Sequence, residues 1–137
     1  ERAAEAVALW RQNLTQSPDY LPSRLSLARA LERQGQSAAA AQEYTEMVRR
    51  KPDYVAARLA LAELENKAGR PEAALEQLQQ ARRLQPKNPL IWEQIGDVEK
   101  ARGRTAEAQA AWRSALENAP DAPTRRRISR KLRAPGR

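Results

Sequence analysis

Apolar residues recur along this chain at intervals of three, four and seven, the spacing that gathers side chains onto one face of an α-helix. Leu27, Ala28 and Leu31 recur as Leu61 and Ala62, then as Ile95 and Gly96. A second set, Ala40, Tyr44 and Met47, recurs as Ala74, Leu78 and Ala81, then as Ala108, Trp112 and Ala115. Each set predicts one helical stripe. Ahead of them Ala6 and Trp10 begin a stripe of the second kind, although Asn13 falls where the others carry Met or Ala. After them Ile128 and Leu132 lie one turn apart, which predicts a last helix.

Punctuation between the stripes keeps a strict period. Pro18, Pro52, Pro86 and Pro120 are 34 residues apart, and Gly35, Gly69 and Gly103 repeat the interval offset by 17. A glycine just past a helix end takes the left-handed conformation that other residues resist. Ser37 or Thr105 is then placed to cap the next helix, and Pro71 suits a first turn. Each proline of the other set stops the helix before it. Every 34 residues therefore hold two helices of about 13 residues joined by tight turns. Ala, Leu, Arg, Gln and Glu dominate the chain and are strong helix formers.

The 34-residue period resembles the tetratricopeptide repeat. That family's pattern has a small residue in the first helix, an Ala in the second, an aromatic four residues later, another Ala and a closing Pro. Trp92, Ile95, Gly96, Gly103, Ala108, Trp112, Ala115 and Pro120 match it closely. Arg24 and Arg58 stand where the family often carries an aromatic, as at Trp92, and Leu31, Glu65 and Glu99 replace a frequent Tyr. The resemblance implies an all-α fold of about eight helices, a right-handed superhelical solenoid of antiparallel hairpins. Residues 1–20 are expected to be the second helix of an incomplete repeat. Full repeats follow at 21–54, 55–88 and 89–122, with a basic capping helix and tail at 123–137. An unpaired first helix leads us to expect a piece of a longer array.

In this family the first helices line a concave groove that takes a peptide or helix from another protein, so the resemblance implies a non-catalytic interaction scaffold. By family register the lining residues are Leu25, Leu59, Glu93 and Arg127; Arg29, Glu63, Asp97 and Lys131; and Arg33 with Lys67. Two readings of these charges stay open. Glu63, Glu93 and Asp97 could form an acidic centre for a basic peptide, beside an apolar floor of Leu25 and Leu59. Alternatively Arg29 pairs with Glu63 and Asp97 with Lys131 across neighbouring helices. Some members clamp a partner's C-terminal carboxylate, but the matching positions here read Leu25, Arg29, Ala60, Leu90 and Gln94, so that clamp is not expected.

Composition narrows the remaining classes. The 137 residues contain no Cys and no His, which removes disulfides, thiolate metal sites and the commonest general base and metal ligand. The glycines are isolated, so no phosphate-cradling loop is present. Neither catalysis nor a cofactor or metal is expected. No apolar run approaches the ~18 residues that a membrane-spanning helix needs. The chain starts at Glu1 with no initiating Met and no signal-like stretch, which reads as a trimmed boundary.

Of the 25 basic residues, seven lie between Pro123 and Arg137 with no acid among them, leaving 18 against the 17 acidic residues. Of the net charge of +8, the tail therefore carries all but about +1. Without interleaved aromatics the tail is read as a polar end cap over Ile128 and Leu132, with a polyanion-binding arm as the alternative. Trp10, Trp92 and Trp112 fall on inter-helix stripes and are expected in the core. Tyr20 and Tyr54 are expected to brace equivalent turns. A further alternative is assembly by stacking through the open repeat ends. The Ala- and Arg-rich, Cys-free composition reads as bacterial, and the resemblance, to repeats that often occur in envelope and secretion machinery, leaves periplasm, envelope or cytoplasm open.

Overall fold

A computed structural model describes residues 2–134. These residues form eight helices: α1 (Arg2–Gln16), α2 (Leu21–Arg33), α3 (Ser37–Arg50), α4 (Val55–Lys67), α5 (Pro71–Leu84), α6 (Pro89–Ala101), α7 (Thr105–Glu117) and α8 (Ala122–Arg133). No strand occurs among them, and the fold is all-α. The chain packs as two compact units that divide between Leu64 and Glu65, near the end of α4.

Gly35, Gly69 and Gly103 take φ of 76°, 77° and 77°, the left-handed region that a side chain resists. At each, the residue after the glycine donates its backbone N–H five residues back: Gln36 to Leu31, Arg70 to Glu65 and Arg104 to Glu99, all at 2.9 Å. That bond closes one helix, and the carbonyl of the same residue accepts the first bond of the next, from Ala40, Ala74 and Ala108. The turn thus leaves no spare position for a capping side chain. Ser37 and Thr105, expected as caps, are instead the first residues of α3 and α7, and neither α3 nor α7 has a side-chain cap. Capping occurs at the other kind of junction. The Asn88 side chain accepts from Leu90 N (3.0 Å) and Asp121 from Thr124 N (2.8 Å). Pro71 opens α5 as expected.

The proline junctions share a different bond. Arg24 Nη2 donates to the Pro18 carbonyl (3.0 Å), Arg58 Nε to that of Pro52 (2.7 Å) and Trp92 Nε1 to that of Pro86 (2.8 Å). All three reach back six residues. Arginine and tryptophan differ in shape, but each puts a planar N–H donor where the carbonyl after a helix end lacks an intrahelical partner.

The core of the first unit gathers Val7 from α1, Leu27, Ala28 and Leu31 from α2, Ala40, Tyr44 and Met47 from α3, and Ala57 and Leu61 from α4. Trp10 is half-buried against it. Tyr44 is buried, with its hydroxyl donating to Glu32 Oε1 at 2.6 Å. Tyr54 packs on this core and Lys51 lies 5.7 Å from its ring, whereas Tyr20 is 57% exposed. The two tyrosines are equivalent in sequence only.

In the second unit Ala74, Leu78 and Ala81 of α5 and Ile91, Ile95 and Val98 of α6 are buried, and α5 packs on α6. Ala108, Trp112 and Ala115 of α7 form a cluster with Ala119 and with Ile128 of α8, flanked by Trp92 and Leu132. Only Trp112 of the three tryptophans is fully buried. Gly96 leaves room for it: a Cβ there would overlap the indole and lie 2.9 Å from its Cε2.

Candidate interaction faces

The residues expected to line a groove are divided between the two units. In the second unit they form one ion-pair network. Ile128 is fully buried against α7, which fixes the rotation of α8 and places Arg127 and Lys131 on one flank of that helix. Both reach α6. Arg127 forks onto Glu93, with Nε 2.8 Å from Oε2 and Nη2 2.7 Å from Oε1. Lys131 Nζ donates to Glu93 Oε2 (2.7 Å) and to both oxygens of Asp97 (2.9 and 3.0 Å). Asp97 Oδ1 also accepts from Trp112 Nε1 at 3.1 Å.

Of the expected acidic centre, Glu93 and Asp97 are thus engaged by the cations of α8. Glu93 is 5% exposed and held by two cations, whereas the Asp97 side chain is 39% exposed. The alternative of pairing between helices is the one found for Asp97 with Lys131. Burial pushes the Glu93 carboxyl up, but hydrogen bonds and charge from Arg127 and Lys131 outweigh it and hold the group below the usual carboxylate range. On the other side of the pair, the bond from Glu93 raises the Arg127 guanidinium.

In the first unit the expected lining residues lie on α2 and α4. Leu25 of α2 is half-buried and packs against the core, while Arg29 and Arg33, one and two turns on, are exposed. On α4, Leu59 is half-buried and Glu63 exposed. Their charges bear on Tyr44: burial first, then the bond to Glu32 and its charge, raise the phenol, with Arg29 opposing and Glu63 adding. Lys67, at the end of α4 and within the second unit, is exposed.

Sequence reasoning missed one further feature. A cleft of about 480 Å³ in the second unit is lined by Leu75, Gln79, Trp92, Ile95, Glu99 and Arg104, among others. Glu99 is buried there. Arg102 holds its Oε1 at 2.8 Å, while Oε2 has no hydrogen-bond partner. The visible signal was an acid standing where the family often has Tyr, at Glu65 as at Glu99, each followed by an arginine that pairs with it. No metal-binding group of acids occurs among the described residues, and no helix of the described residues is long and apolar enough to cross a membrane.

The tetratricopeptide repeat family model matches residues 25–89. No curated protein matches the chain by sequence. Solved structures match it closely in fold. The crystal structure of MamA protein superposes with a TM-score of 0.83 at 18% identity, covering 96% of this chain and 70% of that one. TTC0263, a thermophilic TPR protein in Thermus thermophilus, gives 0.82 at 26% identity, covering 95% and 73%. The type III secretion translocator chaperone SycD of Yersinia enterocolitica gives 0.78 at 19% identity, covering 84% and 89%.

Proposed function

We propose that this tetratricopeptide-repeat protein is a non-catalytic scaffold that holds a peptide or helix of another protein. Such proteins are generally non-catalytic and generally bind other proteins, and SycD, similar in fold, is described as a chaperone. We read the repeats as 21–54, 55–88 and 89–122, flanked by 1–20 and 123–137; the proline and glycine period and the left-handed turns support that division. The binding face we assign is that of the first unit, Leu25, Arg29 and Arg33 of α2 with Leu59 and Glu63 of α4.

One observation carries this choice. On α2 the residues facing the core are buried, while Arg29 and Arg33 stand exposed one turn apart beside a leucine that is only half covered. A guanidinium pair next to partly exposed apolar surface offers both a charged anchor and area to bury. Glu93, Asp97, Arg127 and Lys131 are given a different part, holding α8 to α6.

The test is affinity capture with the native chain and an Arg29→Glu, Arg33→Glu, Glu63→Lys variant, with helicity checked by circular dichroism. A partner held by the native chain and lost by the still-helical variant supports the face. Equal capture by both would remove the binding site from α2 and α4.

A further inference from the structure

The outer side of α8 carries a second set of arginines that the fold does not use. Arg126, Arg130 and Arg133 are exposed, and no side-chain ion pair or hydrogen bond engages them among the described residues. They sit at i, i+4 and i+7, so they fall within about 60° of one another on the helical wheel, opposite buried Ile128, over about 10 Å of axis. The inner flank of the same helix shows what such a spacing does. Arg127 and Lys131, at i and i+4 of α8, take Glu93 and Asp97, at i and i+4 of α6, with each pair separated by 34 residues. A basic i,i+4 pair on α8 thus already binds an acidic i,i+4 pair on a neighbouring helix, residue for residue.

The geometry points to the Arg126–Arg130–Arg133 stripe as a docking surface for an acidic helix of a partner protein, with carboxylates at i, i+4 and i+7. The proposal does not rest on the α2 and α4 face. Charge complementarity selects the occupant: the chain carries +8, most of it in this region, so an anionic partner is drawn toward it. Two other anionic occupants fit less well. The stripe has no aromatic ring for a nucleobase to stack on, and its neighbours on the outer side offer no apolar wedge for a lipid surface. What it offers is fixed helical spacing, which a helix matches and a flexible polyanion does not.

The experiment measures fluorescence anisotropy with a labelled alanine-rich helical peptide carrying Glu at i, i+4 and i+7. Comparison probes are a peptide of the same composition with its Glu residues off one face, and a single-stranded oligonucleotide of equal charge. The expected result is saturable binding of the facial peptide that weakens with salt. Binding should fall at least about tenfold in an Arg126→Glu, Arg130→Glu, Arg133→Glu variant and stay unchanged in Arg83→Glu, Lys87→Glu, two exposed cations outside either face. Single Arg→Gln variants at the three positions should each give a partial loss, which keeps the test valid if the triple variant loses helix. No binding, equal binding by the triple variant when still helical, or equal or tighter binding of either comparison probe would overturn the proposal.

Discussion

Replacing Gly96 by Ala is expected to destabilise the second unit, although the same change in an ordinary helix interior stabilises it. The propensity gain is about 1 kcal/mol, since glycine in a helix costs that much relative to Ala. Against it stands the indole of Trp112. A Cβ at position 96 would overlap Cδ1 and Nε1 and approach Cε2 to 2.9 Å, and Trp112 is only 4% exposed. Forcing an extra methyl into such a site costs roughly 1–3 kcal/mol. Shifting the ring also strains the Nε1 bond to Asp97, worth about 0.5–1.5 kcal/mol. The net is a loss of roughly 0.5–3.5 kcal/mol. Urea unfolding followed by circular dichroism and tryptophan emission measures it, and a Gly96→Ala, Trp112→Leu double variant closes the cycle. The single change should be far less costly in the Trp112→Leu background, where a flexible side chain gives way. A Gly96→Ala protein as stable as the native chain, or more stable, would refute the packing argument.

The remaining predictions concern the same contacts. Trp112→Ala should cost about 3–5 kcal/mol in the same urea experiment, because it empties a buried aromatic site and leaves Asp97 with one donor fewer. Glu93 is held below its ordinary pKa, so its contribution is present above about pH 4.5 and lost as pH falls through the folded value. Hydrogen exchange of α8 should therefore accelerate on acidification, and less so in Glu93→Gln, which has already lost the charge. Tyr44 is raised, so its contribution is full below about pH 10 and declines as pH rises beyond that; Tyr44→Phe should flatten the alkaline loss of stability read by circular dichroism.

The turns were legible because glycine at a helix end has one structural use, and the period of 34 repeated that use three times. The same turns explain the misplaced caps. Ser37 and Thr105 have the chemistry of caps, but Gln36 and Arg104 already serve both to close one helix and to open the next, so the hydroxyls enter one position too late. Composition cannot show that one-residue difference. Arg24 and Arg58 read in the sequence as departures from an aromatic column. In the fold they keep its hydrogen bond to the proline carbonyl while changing its shape. A pattern written in residue types hides an equivalence written in N–H donors.

The charges were only half legible, for a reason that lies in helix rotation. From sequence, the carboxylates of α6 could serve a basic peptide or the cations of α8, because register alone does not say which way α8 faces. Burial of Ile128 decides it, turning Arg127 and Lys131 toward α6. Desolvating Glu93 is then tolerable, because three N–H donors reach its two oxygens; a buried carboxylate with one exposed partner would not offset that cost. The basic tail is thus not one electrostatic object. Arg127 and Lys131 are consumed in fastening α8, Arg125 Nε lies 3.3 Å from the Ala119 carbonyl, and Arg126, Arg130 and Arg133 remain outward. The side that packs on α7 and the outward arginines, which a sequence reads as one basic run, lie on opposite sides of the same helix. The rotation that buries Ile128 creates both.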